Sequence, residues 1–187
     1  MGKLIIITAP SGAGKTTITR HLLAHFDQLA FSVSATTRAR RSYEVDGRDY
    51  YFITPEEFRT RVEAGAFAEW EEVYEHQYYG TLKSELDRLW SMGKEIVFDI
   101  DVKGAVHLKN AYPDQALTIF VKPPSRDALV ERLKSRRTES EESLRKRIAR
   151  ADEELAFENK FDVVIVNDKL PEALAAAEKT VAAFLNR

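Results

Sequence analysis

The chain contains no cysteine. That excludes disulfides, cysteine-ligated metals and thiol catalysis, and it accords with a reducing compartment. Long apolar runs are also missing. The opening "MGKLIIITAPSG" is hydrophobic for only a few residues before a Pro-Ser-Gly turn, too short a stretch for a signal peptide or a membrane helix. A cytoplasmic protein with no membrane partner is expected. Gly2 stands at a myristoylation position, but the chain runs from it directly into a core strand, so lipidation is set aside. Nor does charge of one sign prevail. Lys and Arg total 28 against 30 Asp and Glu, a formal net charge of −2, which argues against nucleic acid as a partner. No repeat or low-complexity tract interrupts the chain. Its 187 residues, 44% apolar, suffice for one large domain with a sizeable core.

Hydrophobic periodicity divides the chain. Lys3 to Thr8 reads as a buried strand, and Thr16 to Phe26 as a helix with Ile18, Leu22, Leu23 and Phe26 on one face. Phe31 to Thr36 alternates as a half-exposed strand does, and Asp49 to Ile53 is a second short strand. "TPEEFRTRVEAG" has Thr54 as cap, Pro55 in the first helical position, Glu57 closing a capping box and Gly65 as the stop. Ala66 to Tyr74 reads as a strand, and Thr81 to Met92 as a helix on Leu82, Leu86 and Leu89. Glu95 to Asp101 ("EIVFDID") and Ala116 to Val121 are buried strands, and "KPPS" breaks the chain before a helix from Ser125. A longer helix, Ser140 to Asn159, carries Leu144, Ile148, Ala151 and Leu155; "FDVVIVN" is the last strand and Pro171 to Asn186 the closing helix. Buried strands alternating with helices predict an α/β fold with a parallel sheet. Residues 33–88, strand-rich, polar and aromatic, read as an inserted subdomain.

"TAPSGAGKTT" follows the first strand and opens the first helix, the context of a phosphate-binding loop. Such a loop points backbone N–H groups at phosphate oxygens. Gly12 and Gly14 permit the close approach, Lys15 reaches the transferring phosphate, and the Thr16 hydroxyl is placed to ligate Mg²⁺. Ala9 replaces the first glycine of the usual signature, a tolerable change if that position is extended. The alternative, a glycine turn with an incidental Lys-Thr, does not account for the strand before and the helix after. Asp99 ends an apolar strand where a second Mg²⁺ ligand belongs. Asp101 points the same way if the strand continues; either acid has a helix cap or a core arginine as its plainer role.

"SATTRARR" brings Arg38, Arg40 and Arg41 together, and "DGRDYYF" adds Tyr50. With a tyrosine from "HQYYGT" they make a cage for a dianionic phosphate, or else a solvated basic loop. A carboxylate accepts both donors of a guanine edge and repels adenine. Glu69, Glu71 and Glu72 are all candidates on composition, with Ser34 and Thr81 hydroxyls to donate to the guanine oxygen.

Together "APSGAGKTT", "FSVSATTRARR", "DGRDYYF", "AEWEEVYEHQYYGT", "VFDIDVKGA", "PPS", "TESEESLRKRI" and "VIVND" resemble guanylate kinase over essentially the whole chain. The resemblance implies one domain in three parts: a parallel-sheet core (about 1–32, 89–124 and 153–187), an inserted mixed-β GMP-binding subdomain (about 33–88) and a helical lid (about 125–152). It implies ATP-dependent phosphorylation of GMP with Mg²⁺, in purine nucleotide metabolism. Ser34, Glu69, Thr81 and Asp101 resemble the guanine site, and Arg38, Arg41, Tyr50 and Tyr79 the GMP phosphate cage. ATP falls to the loop (Ala9, Pro10, Ser11, Gly12, Ala13, Gly14, Lys15, Thr16, Thr17) and to Asn167, the metal to Thr16 and Asp99. Lys15, Arg38, Arg136 and Arg147 resemble the catalytic cations. Two departures stand out: Arg40 where proline is frequent, and "SRRT" (135–138) where Gly-Arg-Gly-Thr is frequent, leaving Arg136 and Arg137 as alternatives. A sugar-phosphate kinase of the same fold and a non-catalytic guanylate-kinase-like interaction module are the rival readings, and monomer or homo-oligomer is undecided.

Overall fold

A computed structural model of the chain describes residues 2–135 and 141–187. Its strands are β1 (Leu4–Thr8), β2 (Leu29–Phe31), β3 (Ala35–Thr36), β4 (Tyr51–Phe52), β5 (Phe67–Tyr74), β6 (Gln77–Leu82), β7 (Glu95–Asp99), β8 (Ala116–Lys122) and β9 (Val163–Val166). Its helices are α1 (Lys15–His25), α2 (Pro55–Glu63), α3 (Lys83–Ser91), α4 (Val102–Ala111), α5 (Arg126–Lys134), α6 (Glu141–Leu155) and α7 (Leu170–Leu185).

β1 is buried at every position, as a strand covered on both faces must be. Its alternate residues feed two cores. Ile5 and Ile7 pack with Ile18 and Leu22 of α1 and Val181 of α7. Leu4 and Ile6 pack on the other face with Leu86 and Leu89 of α3 and Leu108 of α4. Five parallel strands stand in the order β2-β7-β1-β8-β9. The order turns at β1, which lies between β7 and β8, and the crevice at the carboxyl ends of strands about such a point is where α/β sheets bind ligands. The glycine-rich loop between β1 and α1 occupies that place.

A second sheet, β4-β3-β6-β5, is mixed: β3 and β4 are parallel, β6 antiparallel to β3 and β5. Ala35, Phe67 and Leu82 close its small core on Phe58 of α2. Thr54 caps α2 by accepting the Glu57 N–H at 3.1 Å. The Glu57 carboxylate pairs with Arg61 instead of closing the box.

Three expectations are corrected. Residues 31–36 form two strand ends in different sheets. Ser32 N–H still donates to the Val97 carbonyl of β7, but the Ser34 carbonyl already accepts from Tyr51 N–H of the second sheet. β6 is a strand that local pattern did not announce, and the helix after it begins at Lys83 rather than Thr81. Gly80 permits this pairing, since a Cβ there would lie 2.8 Å from the Glu69 carbonyl of β5. Finally, the strand thought to reach Asp101 stops at Asp99. Asp101 caps α4 instead, accepting from the N–H groups of Lys103 (2.9 Å) and Gly104 (3.2 Å). Among the described residues, no helix is long and apolar enough to cross a membrane.

Candidate active site

A cleft of about 810 Å³ opens between the two sheets. The loop from Ala9 to Gly12, then Gly14 to Thr17, forms one wall; Ser34, Arg41, Tyr50, Glu69, Tyr79 and Asp101 belong to the other. Asp99 lies at the end of β7, and Arg147 reaches in from α6.

The loop wall is shaped by glycine. Gly12 and Gly14 take φ of 91° and 100°, and a Cβ on Gly14 would lie 2.3 Å from the Asn167 amide nitrogen. Ala9 needs no such freedom: among the described non-glycine residues only His76 has positive φ, and Ala9 packs into the apolar core with Ile7. Lys15 Nζ sits 2.6 Å from Asp99 Oδ1 and donates to the Ile100 carbonyl at 3.1 Å. The Thr16 hydroxyl donates to Asp99 Oδ2 at 3.3 Å. Asn167 is buried behind the loop, outside the cleft lining, and its amide donates to the Ala13 carbonyl at 2.7 Å. Arg147 donates to the Ser11 hydroxyl at 2.6 Å, tying α6 to the loop. Arg136 and Arg137 lie outside the described residues.

Arg38 lies behind the opposite wall, outside the cleft lining, and is held by its neighbours there. Its two terminal nitrogens donate to the Glu44 carboxylate at 2.8 and 2.6 Å, and its guanidinium lies 5.0 Å from the Tyr50 ring centre. These bonds hold Glu44 down at about 2, well below the usual carboxylate range, and raise Arg38 further above its already high value. Arg41 gives its backbone N–H to Glu44 while its exposed side chain donates to the Tyr43 hydroxyl at 3.0 Å. Arg40 turns back to the Glu44 carbonyl. Alternation along β6 separates the two tyrosines: Tyr79 meets Tyr50 edge-on at 5.9 Å in the cleft, whereas Tyr78 packs on Phe58 and Trp70.

On β5 the period of two puts Glu69 and Glu71 on one face and Glu72 on the other, and depth of burial separates the first two. Glu69 is buried and accepts the Thr81 hydroxyl at 2.6 Å. Burial, opposed by that hydrogen bond, pushes its carboxyl up to about 7. Glu71 pairs with His107 at 2.8 Å, and Glu72 accepts the His76 N–H at the hairpin turn. Gly104 of α4 leaves room for both acids: a Cβ there would stand 2.7 Å from Glu69 Oε2 and 3.4 Å from Asp101 Oδ2. The Asp101 cap thus puts its second oxygen beside Glu69.

Sequence reasoning passed over two groups. Glu44 was signalled only by being an acid in the basic stretch "RARRSYE". Arg150 of α6 donates to the Val73 carbonyl of β5 at 3.0 Å, pairs with Glu154 and lies 4.9 Å from the Tyr74 ring centre. It lines the cleft, and no local pattern distinguished it from the other cations of its helix.

Comparison with known proteins spans almost the whole chain. A family model described as guanylate kinase matches residues 1–184. The guanylate kinase of Porphyromonas gingivalis is 48% identical over 186 residues, covering 99% of each chain. That of Bacteroides thetaiotaomicron is also 48% identical, over 100% of this chain and 91% of its own. Among solved structures, guanylate kinase from Anaplasma phagocytophilum matches with a TM-score of 0.79 at 28% identity, over 100% of this chain and 87% of that one.

Proposed function

The chain belongs to the guanylate kinase family and phosphorylates GMP with ATP, and from that premise we propose how its residues divide the work. The observation that carries the assignment is the facing pair of half-sites in one cleft. Lys15 with Asp99 stands on the loop wall, and Glu69 with Thr81 stands on the second sheet.

ATP phosphates lie along residues 9–17, where loop N–H groups and the start of α1 receive them. Asn167 serves ATP indirectly by bracing Ala13. Thr16 and Asp99 are neighbouring hard-oxygen donors, a set suited to Mg²⁺, which keeps most of its waters and needs few protein ligands. When bound, Mg²⁺ offsets charge on the phosphates. GMP binds with its phosphate among Arg38, Arg41, Tyr50 and Tyr79. Its guanine donors face Glu69, with Asp101 beside it and Ser34 and Thr81 supplying hydroxyls. A GMP phosphate oxygen then attacks the γ-phosphorus in line, and the bond to the bridging oxygen of ADP breaks. No general base is required, because the nucleophile is already anionic. Lys15, Arg38, Arg136 and Arg147 spread over the charge that moves. Residues 33–88 form the acceptor part and 125–152 the lid over a core of 1–32, 89–124 and 153–187, with α6 excluding water from the reacting phosphates.

A coupled assay of ADP formation tests the reading. GMP is expected to be the accepted substrate, with AMP and ribose phosphates turning over at least 100-fold less efficiently, as a site built to pair with one base edge requires. A sugar phosphate preferred over GMP would overturn the assignment of the acceptor wall.

A further inference from the structure

Two histidines and a glutamate meet on the surface where α1 packs against α7, and no part of the kinase reaction uses them. His21 and His25 stand four residues apart on α1, on one helical face. Glu178 of α7 is in direct hydrogen-bond contact with His21, and its Oε1 lies 3.7 Å from His25 Nδ1. One ligand atom from each of the three lies within 4.8 Å of the others. The imidazoles stack with centres 6.0 Å apart, and all three side chains are reachable from solvent at 33%, 49% and 30% exposure.

We propose that His21, His25 and Glu178 form a surface Zn²⁺ site that clamps α1 to α7. Two imidazoles and one carboxylate are a borderline nitrogen and oxygen set. That set favours Zn²⁺ and its transition-metal neighbours over Mg²⁺ or Ca²⁺, which take oxygen. Histidines four apart on a helix present both rings to one ion, the spacing used in helical zinc motifs. Bonds of about 2.0–2.1 Å require ligand atoms roughly 3.3 Å apart around a tetrahedral ion. Side-chain rotation from the present separations brings them there and leaves the fourth position to water. α1 rises about 1.5 Å per residue, so His25 lies roughly 15 Å along the axis from Lys15. The clamp therefore stiffens the far end of the helix that carries the phosphate loop and leaves the reaction site untouched.

Protein without a polyhistidine tag, free of nucleotide, is titrated with Co²⁺ by visible absorption, then with Zn²⁺ in competition and in thermal melts. One Co²⁺ per chain is expected, with the spectrum of a tetrahedral site. Zn²⁺ at a hundredfold over Kd is expected to raise Tm by about 5–10 °C. His25→Ala and Glu178→Gln, each at an exposed or half-buried position, are expected to lower Co²⁺ affinity tenfold or more while kinase turnover stays within twofold. No stoichiometric Co²⁺ binding, or binding and a Zn²⁺ shift that persist in both variants, overturns the site.

Discussion

A carboxylate that accepts two hydrogen bonds from a guanine edge has to be ionised, yet burial pushes Glu69 up to about 7. With Glu69 as the proposed guanine reader, GMP would select the ionised form, and KM for GMP is expected to rise as pH falls below 7, by up to about tenfold per unit. Glu69→Gln is expected to bind GMP roughly 100-fold more weakly and to lose this part of the pH dependence, which steady-state kinetics from pH 6 to 8 would show. The same shift has a sign for stability. The folded value lies above the ordinary 4.5, so the group's contribution is full below about 4.5 and is lost as pH rises through about 7. The Tm of Glu69→Gln relative to the parent is therefore expected to improve between pH 5 and pH 8. Arg147 makes a different case. Its contact with Ser11 puts it on the phosphate loop, so Arg147→Ala is expected to lower turnover about 10²- to 10³-fold with little change in GMP affinity. An unaltered turnover number in that variant removes Arg147 from catalysis.

Elements place these residues, and α4 does so through a glycine. Alanine in place of Gly104 favours the helix by up to about 1 kcal/mol, but its methyl would press on Glu69 and Asp101. Gly104→Ala is expected to keep or raise Tm while raising KM for GMP tenfold or more, and melting curves alongside kinetics separate the two effects. The loop between β3 and β4 works through Glu44. Removing its charge by Glu44→Gln frees Arg38 from its bidentate partner, and KM for GMP is expected to rise several-fold while KM for ATP stays constant. These two devices also mark where sequence reading stops. The phosphate loop and the buried strands were legible because their patterns are local: a glycine pair before Lys15, apolar runs in β1, β7 and β8. β6, α4 and the division of residues 31–36 were not. β6 gains its hydrogen bonds from β5 and β3, Gly104 matters only because Glu69 lies opposite, and Glu44 finds Arg38 only when the loop folds back. Asp101 shows the limit within a single residue: the strand pattern carried β7 on to it, whereas the residue takes the helix-cap role that stood as its plainer alternative.

At the scale of the molecule, two cores on either face of the parallel sheet make the scaffold rigid, and the second sheet and α6 meet across the cleft. Phe120, fully buried in β8 and stacked on Phe161 at 5.2 Å, lies outside the cleft lining. Phe120→Ala is expected to cost about 3–5 kcal/mol and lower Tm by roughly 6–15 °C, with KM values unchanged at temperatures where the variant remains folded. α6 touches both walls, at Ser11 through Arg147 and at Val73 through Arg150, so one helix bridges the two half-sites. Lys15 with Asp99 and Arg38 with Glu44 stand as ion pairs, one in each half-site. Each carboxylate fixes the direction in which its cation points, so the fold rather than the substrate orders a long side chain. The conformational entropy of these side chains is thus given up during folding, and less of it is lost when nucleotide binds.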